Sequence, residues 1–130
     1  MIIERDDAII SLLDEKSIRV DEMVDIISGQ RLIHLAVLMN YELLVDYLIK
    51  NEAHLMARDY NGYTPMLKAA SLNRLDIVKK LVNAGVPVGH KDPWGNTSVD
   101  KAKLYQHKDV IDYFNSLKND VNSEKIGYWR

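Results

Sequence analysis

Gly62-Tyr63-Thr64-Pro65-Met66-Leu67-Lys68-Ala69-Ala70, followed by Asp76-Ile77-Val78-Lys79-Lys80-Leu81-Val82-Asn83-Ala84-Gly85, is a pattern written once in full and then begun again. Asp59, Gly62, Thr64, Ala69, Asp76 and Val78 return as Asp92, Gly95, Thr97, Ala102, Asp109 and Ile111, every pair separated by the same interval. That interval, about 33 residues, is the period of a turn followed by two antiparallel helices, stacked copy upon copy. Each residue in the stretch has a local reason to be there. Thr64 can cap a helix whose first position is Pro65, where a missing N–H costs nothing and a fixed φ helps. Ala69 and Ala70 are small enough to let neighbouring helices approach closely. Leu75, Ile77, Val78, Leu81 and Val82 recur three and four apart and predict a second, amphipathic helix. Gly85 ends it in the left-handed geometry that glycine tolerates.

Working upstream, Gly29 lies one full period before Gly62, so the repeat reaches an earlier unit. There Ile33, His34, Ala36 and Val37 form a first helix, and Leu43, Leu44, Val45, Leu48 and Ile49 a second. Residues 1–17 read as one more helix, capped by Asp6 or Asp7 and apolar at Ile9, Ile10, Leu12 and Leu13, a shortened opening unit. Residues 18–27 are ambiguous. Val20, Met23, Val24 and Ile27 fit helical spacing, whereas the equivalent region of later units is expected to be an extended hairpin; a short helix or helical turn is preferred. Downstream, Pro87, Gly89, Pro93 and Gly95 exclude a helix and suit a hairpin-like loop. The last unit mixes Val110, Ile111 and Phe114 with a polar face, as a terminal repeat needs. The expected division is a cap unit over 1–28, repeats over 29–58 and 59–91, a capping repeat over 92–118, and a polar tail over 119–130 that carries Ile126, Tyr128 and Trp129.

On these motifs the chain resembles the ankyrin repeat family over roughly residues 29–118. The departures are local. Arg31 and Leu32 replace the family's Thr-Pro in the first full unit, Leu67 replaces its histidine in the second, and Asn40, Asn73 and Gln106 stand where a glycine usually separates the helices, which weakens turn ideality. The resemblance implies an all-α solenoid with short β-hairpin loops, about three to four helix-turn-helix units including caps. It also implies a role for His34 as a structural hydrogen bonder to a neighbouring loop. Members of the family bind proteins through hairpin tips and the surface of the inner helices. Carried onto matching positions, the partner-binding residues are Tyr60, Asn61 and Tyr63, then Pro93, Trp94 and Asn96, then Ser71, Leu72, Leu104 and Tyr105, with Leu38, Met39, Ser28 and Gln30 in the earlier unit. Exposed aromatics at loop tips have no folding reason to be there, and Trp94 is the foremost candidate.

Charge and composition narrow the function. A formal charge of −2 and a pI of about 6.1 supply no net attraction to phosphate backbones or anionic lipid, so neither nucleic acid nor membrane is expected as a partner. No cysteine is present, which excludes thiolate ligands and disulfides and suits a cytoplasmic setting. His34, His54, His90 and His107 are dispersed without metal-site spacing, and no nucleotide loop or nucleophile motif occurs. Lys79, Lys80, Lys101, Lys103 and Lys108 are interleaved with aspartates and read as a mixed solvent face. The expectation is therefore a non-catalytic, cofactor-free interaction module, monomeric alone, that grips a folded protein, with inhibition of or immunity to an enzyme as one use. The alternative is a self-associating scaffold element that uses the aromatic tail.

Overall fold

One helix, α1 (Arg5–Asp14), is followed by a small antiparallel pair, β1 (Met23–Asp25) and β2 (Gln30–Arg31). Three helix pairs then succeed one another: α2 (Leu32–Leu38) with α3 (Glu42–Lys50), α4 (Pro65–Ser71) with α5 (Leu75–Asn83), and α6 (Ser98–Leu104) with α7 (Lys108–Lys118). These elements come from a computed structural model that describes residues 5–118. The short helices α2, α4 and α6 pack in one row, and α1, α3, α5 and α7 in a second row behind it. The core lies between the rows. Ala36, Ala69 and Ala102, one per unit, are fully buried where the inner helices touch, and Leu44, Leu48, Ile77, Leu81, Val110 and Phe114 fill the space from the outer row. A single unit has apolar surface on both sides of its layer, so only stacking buries it.

The helix ends follow one rule. Beyond α5, Gly85 N–H donates to Val82 O and Val86 N–H to Leu81 O, a Schellman ending with Gly85 at φ +90°. The same pair of bonds closes α2, α3 and α6, and the longer of the two, from Arg74 N–H to Ala69 O, closes α4. Asn40, Glu52, Asn73 and Gln106 take the left-handed position there, at φ of 58° to 61°. The absence of glycine between paired helices therefore leaves the turn geometry intact. At the starts, Thr64 Oγ1 accepts from Leu67 N–H, and Thr97 exchanges bonds with Asp100 in a capping box. Asp6 does something different from the expected capping of its own helix. It is buried in α1, and its carboxylate accepts from Leu43 N–H at 3.1 Å, in the first turn of the neighbouring α3.

Residues 18–27 are not helical. Met23 pairs with Arg31 and Asp25 with Gln30, Leu32 N–H donates to Glu22 O, and the Asp25 carboxylate accepts from Ile27 N–H and Ser28 Oγ–H inside the turn. Those bonds outweigh the helical spacing of four apolar residues, two of which, Val24 and Ile27, are left exposed. The later loops keep the same outline with less pairing. Asp59 N–H donates to Tyr63 O, Asp92 N–H to Asn96 O, and Lys91 bridges Thr97.

Neighbouring units are also tied by equivalent side chains. Arg74 donates to Val37 O and Leu38 O at the end of α2, and one repeat later His107 donates to Ser71 O at the end of α4. In the outer row Tyr47 donates to Asp14, Lys80 pairs with Asp46 at 2.9 Å, and Lys79 lies over the Tyr113 ring.

Candidate functional site

Because the units repeat in register, the candidate residues form columns. At the loop tips Tyr60 precedes Pro93, Asn61 precedes Trp94, and Tyr63 precedes Asn96; at the ends of the inner helices Leu38, Ser71 and Leu104 align, as do Met39, Leu72 and Tyr105. Trp94 is 70% exposed, Tyr60 and Leu104 64%, and Tyr105 51%. Leu38, Met39, Asn61 and Pro93 are exposed, whereas Tyr63, Ser71, Leu72, Asn96, Ser28 and Gln30 are half-buried. Two of the tip residues also have structural work. The Tyr60 ring covers Gly29, with Tyr60 N–H donating to Ser28 O, and Pro93 covers Gly62.

Each later tip is braced from below by a buried carboxylate. Asp59 Oδ1 accepts from Asn61 N–H and Tyr63 N–H, and Asp92 Oδ1 accepts from Trp94 N–H and Asn96 N–H, all at 2.9 Å. The other oxygen of Asp92 meets Lys101 Nζ at 3.1 Å, while Lys68 stands 3.9 Å from Asp59. Lys101 is therefore no part of a solvent face. It is 6% exposed, and its ammonium lies 5.1 Å from the Tyr63 ring centre and 6.0 Å from that of Trp94, so one buried cation links aromatics of two successive tips. Hydrogen bonding to Tyr63 and the Asp92 carboxylate hold the Lys101 pKa above its usual value against the opposing effect of burial. Burial pushes the Asp92 carboxyl up, but the bonds from Asn96 N–H, Lys101 and Trp94 N–H outweigh it and leave the carboxyl below its ordinary value. Sequence periodicity alone treats Lys101 as solvated because the Tyr63 ring over its ammonium comes from the adjoining unit.

Two histidines seal the junctions beneath the tips. His34 accepts from Arg31 N–H at Nδ1, which places its proton on Nε2, and Nε2–H donates to Ala57 O at 2.9 Å and Tyr63 O at 3.1 Å. His90 donates from Nδ1 to Pro87 O and accepts at Nε2 from the Thr64 hydroxyl. Burial is the main cause that lowers both imidazole pKa values.

Sequence reasoning missed Ile26 and Ile27, 81% and 87% exposed at the tip of the first loop. The signal was available: one period before the tip residue Tyr60 lies Ile27, and one period before the bracing Asp59 lies Ile26. The tips thus present Ile26, Ile27, Tyr60 and Trp94 in a series. A cleft of about 810 Å³ lies elsewhere, lined by Leu13, Lys16, Arg19, Asp21, Arg31 and Tyr47, without a nucleophile paired to a base. Among the described residues no group of three or more His, Asp or Glu side chains is placed to hold a metal ion, and no helix is long and apolar enough to cross a membrane. The aromatic segment Ile126 to Trp129 lies outside the described residues.

Paired helices in two rows, joined by loops that tip outward at a constant period, define a helical repeat solenoid of the protein-binding kind. A family model for ankyrin repeats in three copies matches residues 2–92 and again 33–125, and the chain belongs to the ankyrin repeat family. Over 67 residues it is 39% identical to the potassium channel GORK of Arabidopsis thaliana, a match that takes in 52% of this chain and 8% of the channel. The likeness therefore concerns a small part of that relative. Ankyrin repeats generally mediate protein–protein interaction, and the family is typically non-catalytic.

Proposed function

We propose that this protein binds one folded protein partner across its loop tips and inner-helix ends, without chemistry of its own. The observation that carries this reading is the series of large apolar side chains left exposed at the tips, with Trp94 foremost, on loops braced from beneath by Asp59 and Asp92. An aromatic held on a pre-formed loop loses little freedom on binding, which is what an anchor requires. The inner-helix ends, through Leu38, Met39, Leu104 and Tyr105, extend the contact below the tips. Restraint of an enzyme, as an inhibitor or immunity-type protein, is the use we favour, because the partner must then supply all the chemistry. A cytoplasmic setting accords with a chain that has no cysteine to oxidise.

The test begins with affinity capture on wild-type and Trp94→Ala baits, followed by purification of the protein lost from the mutant bait. Trp94→Ala is expected to weaken binding of that purified partner by about 2 kcal/mol, roughly thirtyfold in Kd, with an unchanged far-ultraviolet circular dichroism spectrum. Equal dissociation constants for the two proteins would overturn the assignment.

A further inference from the structure

Of the chain's asparagines only Asn61 precedes a glycine, and it stands exposed at a loop tip. An asparagine side-chain amide is an electrophile within reach of the backbone nitrogen of the next residue, and a glycine there puts no Cβ in the way of ring closure. Asn96, in the following tip, precedes the branched Thr97 instead. The folded tip holds this nucleophile in check. Gly62 N–H donates to Asp59 O at 3.0 Å, so the nitrogen can lose its proton to solvent only when that bond opens. On either side the N–H groups of Asn61 and Tyr63 donate to Asp59 Oδ1, both at 2.9 Å. Arg58 donates to Gly62 O at 2.7 Å, and a Cβ on Gly62 would overlap Pro93 Cγ. The reactive peptide unit is thus exposed to water at its side chain and fastened at its backbone.

We propose that Asn61-Gly62 is a site of spontaneous covalent modification, closed while the tip is braced and converted to aspartate and isoaspartate when the tip opens. Solvent base takes the Gly62 amide proton. The nitrogen then bonds to Cγ of Asn61, the bond from Cγ to the side-chain nitrogen breaks, and ammonia leaves with a proton drawn from water. A water molecule next opens the resulting cyclic imide at either carbonyl. Opening at Cγ gives aspartate; opening at the backbone carbonyl gives isoaspartate, whose main chain runs through Cβ. Either product adds a negative charge at the exposed tip. Isoaspartate does more, because its extra main-chain carbon lies between the two N–H groups that share Asp59 Oδ1 and spoils their common geometry. The modified tip therefore loses its brace, and the change is not reversed by reclosing. The inference concerns the chemistry of the tip itself and is independent of the partner-binding role.

A time course on full-length protein at neutral pH tests it, with peptide mapping by mass spectrometry to separate the three forms of position 61. Isoaspartate is expected to accumulate there, more slowly in the folded protein than in the same chain held in urea. Asp59→Ala, which removes the acceptor of both flanking N–H groups, should speed conversion at least about tenfold. Arg58→Met, a milder change, should act in the same direction, each variant being checked for a native far-ultraviolet spectrum. Hydrogen exchange at the Gly62 amide should rise by the same factor as conversion, since both reactions start from the same opened N–H. Asn61→Gln should halt it. Equal rates in the folded and urea-treated chains would overturn the proposal, as would a rate indifferent to both brace variants. No conversion in the folded variants over the time in which the urea-treated chain converts completely would overturn it as well.

Discussion

The Thr64 hydroxyl lies 2.5 Å from Nε2 of His90, and this bond closes at one junction what His34 closes at the junction before. Leu67 stands at the repeat position of His34, and His90 at the position of Ala57, whose carbonyl His34 reaches. The histidine has changed sides of the same joint. His90→Ala should therefore destabilise the fold by about 1–2 kcal/mol, since the buried Thr64 hydroxyl loses its acceptor. Leu67→His alone should also destabilise, by crowding His90, yet the double variant should recover part of the loss. A coupling of at least about 0.5 kcal/mol in urea unfolding is the expected result, and strictly additive effects would refute the exchange.

Both His34 and His90 are held below the ordinary imidazole value of 6.5, chiefly by burial. The unfolded chain takes up protons at that ordinary value, while the folded chain takes them up only at lower pH. Unfolding stability should therefore be insensitive to these groups above pH 6.5 and should fall as the pH drops below it towards their folded values. Urea midpoints at pH 7.5, 6.5 and 5.5 measure the slope, and replacing His90 by alanine should flatten it. Identical midpoints across this range would count against neutral, buried imidazoles.

The two braced tips differ in their cations. Lys101 sits 3.1 Å from the enclosed Asp92, whereas Lys68 stands 3.9 Å from Asp59 and is the more exposed of the two. Lys101→Met should cost about 2–3 kcal/mol, because Asp92 is left buried and unpaired close to the surface of the domain. Lys68→Met should cost under about 1 kcal/mol. Denaturant titrations of the two variants decide the order, and an inverted order would mean that Asp92 is held by the loop N–H groups alone.

Equivalent positions in successive units predict opposite signs. Glu52 and Gly85 both close an outer helix at positive φ, 61° and 90°. Glu52→Gly should stabilise, and Gly85→Ala destabilise, each by about 1 kcal/mol, the strain of a side chain in left-handed backbone. Gly62→Ala carries the same strain and must also displace Pro93, so thermal unfolding should rank it the most damaging of the three.

Much of the architecture was legible from residue chemistry alone. Thr64 and Pro65 announced a helix start, Gly85 a stop, and the alanines of the inner row a close helix contact, because each acts within a few residues of itself. The first loop was misread. Val20, Met23, Val24 and Ile27 have helical spacing, but the pairing of Met23 with Arg31 and the turn bonds of Asp25 prevail, and their strength depends on groups from a distant part of the loop, such as the Arg31 guanidinium that donates to Asp21 O. The tip columns were found by register. Their supports were not, since Lys101 looks like an ordinary surface charge until Tyr63 of the preceding unit closes over it.

By itself the sequence determined the period, the helix pairs and the residues that face each other from unit to unit, because a constant repeat with caps and stops leaves one way to bury its apolar stripes. Only the tertiary structure decided which charges are enclosed and which large side chains stand free. Enclosure is a property of two neighbouring units at once: Asp92 and Lys101 come from one and the Tyr63 ring that lies over the lysine from another, while Ile26 and Ile27 stand free at the first tip.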